Sequence, residues 1–204
     1  MTHPSDTLGS LNEWLRGRHA LTGTAPDWDL DALPDDPSEL FATWLRAASD
    51  AGVAEPHTVT LATVDAGGIP DARTLILKRI DDQGWAFAST RSSRKGAQLD
   101  AVPAAALNFW WQPQVRAVRV RGRVEEASLE ESAADLAARS PAAQAEVADG
   151  DWAVWRIIPT RIEFWQGSRD RRHTRVIFDA ADDGWSRTIT GGLADRTSGE
   201  ARTT

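Results

Sequence analysis

The spacing of apolar residues divides this chain into helical and extended segments. Asp36, Pro37 and Ser38 form a helix-start signal, and apolar residues then recur at the spacing of one helix face until Gly52. From residue 57 the period changes to two, which is typical of strands with one buried side. The alternation predicts strands over residues 58–64, 72–80, 85–89, 105–111, 115–126, 155–166, 175–178 and 185–189.

Two further helices are predicted between these strands. Ser92 and Ser93 can cap a short helix that runs to Leu99, and Ser128 can begin another that runs to Arg139. Six to eight short strands joined by turn signals are typical of antiparallel architectures. With helices set between them, they predict a mainly β fold: a closed or nearly closed antiparallel barrel with flanking helices.

The two ends of the chain differ from this central part. Residues 1–36 mix Gly, Pro, Asp and Thr around one weak helical pattern, so we expect a flexible N-terminal arm. Residues 191–204 have almost no apolar content and are predicted to be disordered. Residues 37–190 are therefore expected to form the single folded domain.

Composition excludes several classes of protein. The formal net charge of -7 at pH 7 argues against a general nucleic-acid binder, which needs a broad basic face. The chain has no cysteine, and its histidines lie far apart, so neither a disulfide nor a metal site is expected. No apolar run approaches the roughly 20 residues of a membrane span, and residues 1–6 lack the basic and apolar regions that a signal peptide would have. We expect a cytoplasmic protein without a membrane partner.

Three basic groups could hold a small anionic ligand. They consist of Arg73 with Lys78, of Arg91 with Arg94 and Lys95, and of Arg171 with His173 and Arg175. The segment Ser92–Gly96 is the sharpest, because hydroxyls, the free amides of a helix start and two cations suit a phosphate. Taken alone, it is equally compatible with a solvated basic helix start.

The other two groups raise questions of geometry. Arg73 and Lys78 are five residues apart, so a regular strand would point them to opposite faces, and one ligand could use both only if the strand bends. They could also be two separate surface cations. Arg171, His173 and Arg175 share one parity and follow the aromatic segment Ile162–Gly167. An extended chain there would aim all three the same way, beside an aromatic wall suited to a flat phosphorylated ligand.

Taken together and in this order, the segments resemble the pyridoxamine 5'-phosphate oxidase family of flavin mononucleotide (FMN) enzymes. The resemblance runs from about residue 40 to 189. It rests on Arg73–Lys78, on Ser93–Lys95, on Pro103–Trp110 with Arg116 and Val118, and on Glu163–Gly167 with the Arg171, His173, Arg175 triplet. Members of that family are FMN-binding split β-barrels that form homodimers, with two flavins in clefts between the subunits. The resemblance implies the same fold, cofactor and homodimer here.

The resemblance also assigns site residues. Those expected to contact FMN are Arg73, Thr74, Leu75, Ile76, Leu77, Lys78, Ser89, Arg94 and Lys95, with Trp165 and Arg175 completing the flavin site from the other side. Those expected to bind a small phosphorylated pyridine substrate are Lys78, Arg139, Arg171 and His173, of which Arg171 and His173 are the catalytic pair that orients the substrate. The implied reaction converts pyridoxamine or pyridoxine 5'-phosphate to pyridoxal 5'-phosphate, with hydride transfer to the flavin and release of hydrogen peroxide from oxygen.

Some positions depart from the family pattern. Asp135 stands where the family has a tyrosine that binds the substrate phosphate, and Ala117 stands where it usually has glutamine. The connection between Arg139 and Trp155 is shorter than in the typical enzyme. Two alternatives therefore stay open: an FMN oxidoreductase of the same fold with another substrate, such as a phenazine-pathway type oxidase or a flavin reductase, or a non-catalytic flavin or vitamer binding protein.

Overall fold

A computed structural model of the chain describes residues 4–192. Within these residues the helices are α1 (Pro4–Arg16), α2 (Pro37–Asp50), α3 (Arg94–Ala101), α4 (Leu129–Ala137) and α5 (Pro141–Ala145). The strands are β1 (Thr58–Val64), β2 (Pro70–Ile76), β3 (Arg79–Asp81), β4 (Gly84–Thr90), β5 (Ala104–Trp111), β6 (Arg116–Glu126), β7 (Trp152–Gln166), β8 (Thr174–Ala181) and β9 (Gly184–Thr190). The mainly β prediction with flanking helices is confirmed.

All strand pairs are antiparallel, in the order β2-β1-β5-β6-β7-β4-β3. The sheet branches at β7, which is 15 residues long. The first part of β7 pairs with β4 and its last part pairs with β8, while β6 runs along both. The β4 and β3 branch and the β8 and β9 branch therefore leave β7 at different points along its length, and β8 and β9 extend the sheet beyond the main strand order.

A local irregularity bends β6 and β7 where the branches separate. The register between the two strands shifts between Arg121 and Gly122, opposite Pro159. Proline cannot donate a ladder hydrogen bond and is tolerated in a sheet at such a bulge. A side chain at residue 122 would meet the Ile158 carbonyl oxygen at 1.9 Å, so only glycine fits there.

Helix α2 contributes aromatic side chains to the core. Asp36 caps this helix by accepting from the Ser38 N–H at 2.7 Å, as the start signal predicts. Phe41 is fully buried, with its ring centroid 4.5 Å from that of Trp85 and 4.8 Å from that of Phe109. Such edge-on and tilted contacts stabilise a core beyond simple area burial.

The predicted single strand over residues 72–80 is wrong. The chain instead turns a corner between β2 and β3: the Leu77 N–H donates to the His57 carbonyl, whereas the Lys78 N–H donates to the Ala86 carbonyl. Residues before the corner therefore pair with β1, and residues after it pair with β4. The bend that a shared ligand of Arg73 and Lys78 requires is present.

The division between a flexible arm over residues 1–36 and a folded domain from residue 37 stays a prediction. The structure shows helices both before and after residue 37. Residues 4–16 form α1, and Leu30 is 8% exposed within the core. The Arg116 side chain, buried against the Trp44 ring, donates to the Asp27 carbonyl at 3.2 Å. Burial lowers the pKa of Arg116 to about 10. The predicted disordered tail over residues 191–204 lies, from residue 193 onward, outside the described residues.

Helix α4 lies against β7 and is fixed by buried polar contacts. Its Ser132 hydroxyl accepts from the Val154 N–H at 3.1 Å, and Glu131 pairs with Arg156, which is 4% exposed. The shortened connection after Arg139 contains one short helix, α5, that the sequence pattern does not predict. No helix within residues 4–192 is long and apolar enough to span a membrane.

Candidate functional site

The start of α3 presents hydroxyls and cations together. The Ser93 side chain caps the helix by accepting from the Gly96 N–H at 3.2 Å, as predicted. The Ser89 hydroxyl lies 3.4 Å from the Ser93 hydroxyl, and the Lys95 Nζ lies 3.5 Å from it. Ser89, Arg94 and Lys95 of the predicted flavin contacts are thus brought to one place.

Arg73 reaches the same helix from β2. Its guanidinium donates to the Gln98 Oε1 at 2.9 Å and pairs with the Asp71 carboxylate at 3.0 Å. Asp71 also lies 3.3 Å from the Arg94 Nε, so one carboxylate joins the two arginines. Asp71 and Gln98 were not predicted from the sequence. Their signal was spacing: Asp71 shares the strand parity of Arg73, and Gln98 lies one helical turn after Arg94.

The electrostatics of this cation cluster, formed by Arg73, Arg94 and Lys95, suit an added anion. Burial lowers the pKa of Lys95, and the nearby Arg73 charge lowers it further. The hydrogen bond from Gln98 lowers the pKa of Asp71, with help from the Ala72 N–H and the two arginines and against partial burial. Three cations face one carboxylate, so the cluster has the positive surplus that a phosphate needs.

The rest of the Arg73–Lys78 segment is divided between two faces. Leu77 is buried, and Leu75, on the same face of β2 as Arg73, packs against the core. Thr74 and Ile76 point to the opposite, exposed face of β2. Contacts from Leu75 and Leu77 to a ligand would therefore have to come from their backbone.

A second group lies on the outer face of the sheet, at the ends of β7 and β8. Trp165 and Arg175 are register partners, and the His173 ring centroid lies 5.0 Å from that of Trp165. The Trp110 ring, on β5, lies 6.0 Å from Trp165 and is 45% exposed. The aromatic wall and two of the three predicted basic residues thus meet on one face.

Arg171 does not follow the predicted parity. Its φ of 64° is in the left-handed region, so the chain turns at this residue instead of continuing extended. Arg171 is exposed, and its N–H donates to the Ser168 carbonyl at 3.1 Å. His173 is oriented from the same loop, because its Nδ1 accepts from the Ser168 N–H at 3.0 Å.

A buried carboxylate supports this outer face. Glu163 is 9% exposed; its Oε1 accepts from Arg119 at 2.7 Å and lies 3.5 Å from the Arg175 Nε. A cavity of about 400 Å³ opens beside it. The cavity is lined by Thr60, Ala62, Ala106, Leu107, Asn108, Arg119, Val120, Arg121, Arg161 and Glu163. Arg119 and Arg121, which alternate with apolar residues along β6, therefore both line this cavity.

The remaining predicted substrate residues form a third group beside α4. The Lys78 Nζ lies 3.2 Å from the Asp135 Oδ1, and the Arg139 guanidinium lies 4.3 Å from the Trp152 ring centroid. Trp152 donates its indole N–H to the Asp135 Oδ2 at 2.9 Å. Sequence analysis did not identify Trp152, which lies three residues before the predicted strand over residues 155–166 and at the start of β7 in the structure.

Comparison with known families identifies this arrangement. Residues 45–166 match the model described as pyridoxamine 5'-phosphate oxidase. Residues 152–189 match the model described as the pyridoxine 5'-phosphate oxidase C-terminal dimerisation region. The second match contains the Trp165, His173 and Arg175 group.

Curated relatives agree with the family models. A pyridoxine/pyridoxamine 5'-phosphate oxidase of Thermosynechococcus vestitus is 38% identical over 184 residues, which cover 75% of this chain and 87% of that protein. One of Cupriavidus necator is 39% identical over 205 residues, covering 85% and 89%.

Solved structures share the fold. PhzG from Burkholderia lata, in complex with tetrahydrophenazine-1-carboxylic acid, has a TM-score of 0.76 at 24% identity and covers 83% of this chain and 100% of its own. A pyridoxamine 5'-phosphate oxidase-related, FMN binding protein of Nostoc punctiforme has a TM-score of 0.65 at 16% identity, covering 78% and 100%. The chain belongs to the pyridoxamine 5'-phosphate oxidase family and is an FMN-dependent oxidoreductase with the split-barrel fold.

Proposed function

We propose that the protein oxidises pyridoxamine or pyridoxine 5'-phosphate to pyridoxal 5'-phosphate, with oxygen as acceptor and hydrogen peroxide as product. The observation that carries the proposal is the outer-face group, in which Trp165 offers a ring surface beside the His173 imidazole and the Arg175 guanidinium. A flat ring with anionic substituents fits such a surface. The names of the relatives at 38% and 39% identity support the same reaction.

The cation cluster is the proposed site of the FMN phosphate. Arg73, Arg94 and Lys95 would neutralise the phosphate, and the Ser89 hydroxyl would donate to one of its oxygens. The lowered pKa of Lys95 fits this role, because a bound anion would offset the cost of burying the Lys95 charge and its repulsion by Arg73. When bound, FMN supplies the two-electron acceptor for the substrate hydride and passes the electrons to oxygen.

His173 and Arg171 are proposed to hold the substrate. Since the His173 Nδ1 accepts from the Ser168 N–H, a neutral ring carries its proton on Nε2. That Nε2–H is then the group available to donate to a substrate oxygen. Arg171 lies on the same loop, and its exposed guanidinium can pair with an anionic substituent. Both residues would orient the reacting carbon, a contribution that depends on position more than on proton transfer.

We further propose a homodimer in which each flavin site uses both subunits. The cation cluster depends on β2, at one end of the strand order, whereas Trp165 and Arg175 lie on β7 and β8. β2 and β7 are four strand steps apart along the sheet, or about 19 Å at the usual strand spacing. A second copy would let one flavin contact both groups, and the matched dimerisation region contains the outer-face group.

The test is turnover by flavin-saturated protein. We expect peroxide release on addition of pyridoxamine 5'-phosphate, and we expect His173→Ala and Arg171→Ala to lower it at least about 100-fold while the flavin absorbance is retained. Arg169→Ala, an exposed arginine in the same loop, is the matched control and should change little. Flavin-loaded protein that releases no peroxide with either vitamer would contradict the proposal.

A second candidate is an FMN oxidoreductase of the same fold that acts on another ring. The ion pair between Lys78 and Asp135 favours it, because a carboxylate beside Lys78 competes with a substrate phosphate. Turnover with an unphosphorylated ring but none with the two phosphorylated vitamers would favour this candidate.

A further inference from the structure

Asp135 occupies the position between a cation and an aromatic ring where a ligand could bind. One of its carboxylate oxygens lies 3.2 Å from the Lys78 Nζ, and the other accepts from the Trp152 indole N–H at 2.9 Å. The Asp135 side chain is 19% exposed and that of Lys78 is 36% exposed, so both remain accessible to a bound molecule. Asp135 therefore already provides Lys78 with an anionic partner.

Helix α4 fixes this carboxylate in place. Asp135 lies one helical turn after Glu131, so both side chains are on the face of α4 that meets β7. Glu131 binds the buried Arg156, and the Ser132 hydroxyl accepts from the Val154 N–H. These contacts hold the helix against the strand. Asp135 can leave Lys78 only by changing its rotamer and giving up the Trp152 hydrogen bond.

Arg139 completes the charges of this group. Its guanidinium lies over the Trp152 ring at 4.3 Å, and Arg139 itself follows the end of α4 by two residues. The Arg139 carbonyl accepts from the Gln144 side chain at 2.7 Å, which ties the end of the helix to the shortened connection. Arg139 and the Asp135 carboxylate therefore both contact Trp152, and Lys78 is already paired with that carboxylate.

This arrangement treats two kinds of substrate differently. A phosphate group that binds Lys78 would bring charge of about -2 next to the Asp135 carboxylate, and such like-charge contacts discriminate strongly against a ligand. A free hydroxymethyl group carries no charge and can donate its O–H to Asp135. Lys78 and Asp135 would then act together as a donor and acceptor pair for an alcohol.

We propose that Asp135 determines substrate choice: it admits pyridine-ring amines and alcohols with a free hydroxymethyl group and weakens selection for their phosphate esters. The inference rests on the proposed function, because it takes Lys78 and Arg139 as substrate contacts. It deepens that function by adding unphosphorylated rings to the substrate class.

The test compares kcat/KM for pyridoxine 5'-phosphate and pyridoxine on flavin-saturated wild type and on Asp135→Asn. Asparagine keeps the shape and the acceptor for Trp152 but removes the charge. We expect measurable turnover of pyridoxine by the wild type, and a phosphate-to-alcohol ratio that rises about tenfold or more in the variant. Glu130→Gln removes one exposed carboxylate of the same helix and should leave the ratio unchanged.

Binding measurements separate failure of this inference from failure of the proposed function. If no vitamer is turned over, the affinities of the flavin-loaded proteins for pyridoxal and pyridoxal 5'-phosphate can be measured instead. Their ratio gives the preference for the phosphorylated ring. A tenfold gain for the phosphate in Asp135→Asn would then support the role of Asp135 while the oxidase proposal fails. Vitamer turnover with an unchanged ratio in Asp135→Asn would overturn the role of Asp135 and leave the oxidase standing. Asp135→Ser supplies the same comparison if the asparagine variant does not fold.

Discussion

Trp165 and Arg175 lie opposite each other on β7 and β8, so their side chains are neighbours on the outer face of the sheet. Glu163, two residues before Trp165 and thus on the same face, pairs with Arg175 at 3.5 Å. His173 contacts the other side of this small group through the Trp165 ring. A ring surface and a cation are therefore presented together by two paired strands, and this is the surface on which we propose that the flavin ring binds.

Removal of two cations at the start of α3 should abolish tight flavin binding. Arg94→Ala combined with Lys95→Ala deletes two charged donors to the proposed phosphate site, each worth about 1.5–3 kcal/mol. We expect FMN affinity to fall at least about 100-fold. Flavin fluorescence titration of the apoprotein measures this directly.

The control for the flavin experiment is Arg46→Ala, which removes one exposed cation from α2. Its FMN affinity should match that of the wild type. An unchanged affinity in the Arg94 and Lys95 double variant would show that the phosphate binds elsewhere.

Much of the fold could be predicted from local patterns because its elements carry their own signals. The Asp36 and Ser93 caps formed at the predicted residues, since a side chain that accepts a helix-start N–H acts within one turn. The corner at Leu77 and Lys78 could not be predicted in the same way. Its cause is the pairing of adjacent residues with two different strands, which is a property of the tertiary fold.

The candidate site was less predictable, because it depends on which distant residues meet. Basic residue type suggested Arg94 and Lys95. Local spacing could place Asp71 beside Arg73 and Gln98 beside Arg94, but it could not indicate that the strand and the helix would meet. Parity gave the wrong direction for Arg171, because a left-handed residue in the loop breaks the strand geometry that parity assumes.

As pH rises, flavin affinity should begin to fall at a pH below the ordinary pKa of lysine. Burial and the Arg73 charge lower the pKa of Lys95 in the folded apoprotein, so its proton is lost below the ordinary lysine value of 10.5. Phosphate binding favours the charged form, and binding above the lowered pKa must therefore take up a proton. Titrations across pH 7.5 to 10 should show affinity falling as pH rises. Lys95→Arg, which stays charged, should flatten this decline, and an identical profile in both proteins would contradict the assignment.

The buried Arg156 should be a weak point for stability once its partner is removed. Glu131→Ala would leave this guanidinium, 4% exposed, with only the Asp81 carboxylate at 3.6 Å among its ion pairs within the described residues. Breaking a buried pair from one side costs about 3–5 kcal/mol. Urea unfolding should show a loss of roughly 3 kcal/mol in the free energy of unfolding.

Arg123→Ala is the matched comparison for Glu131→Ala, because it breaks an exposed pair with Glu125 on β6. Exposed pairs contribute about 0–1 kcal/mol, so its unfolding curve should nearly overlay the wild type. Equal losses in the two variants would mean that burial does not govern the Arg156 contact.

Disruption of the outer sheet face should separate the proposed dimer and release flavin at the same time. Trp110 is 45% exposed in the single chain and lies beside Trp165, so the proposed interface would cover both. Trp110→Glu would place an unpaired charge there, and we expect the dimer dissociation constant to rise at least about 100-fold. Sedimentation at several protein concentrations measures the shift, and flavin absorbance of the same samples measures retention. Leu129→Glu changes another exposed apolar residue, on α4, and should leave both unchanged. If the Trp110 variant becomes monomeric yet holds FMN as tightly as the wild type, the flavin site lies within one subunit and Trp165 with Arg175 does not complete it from the other.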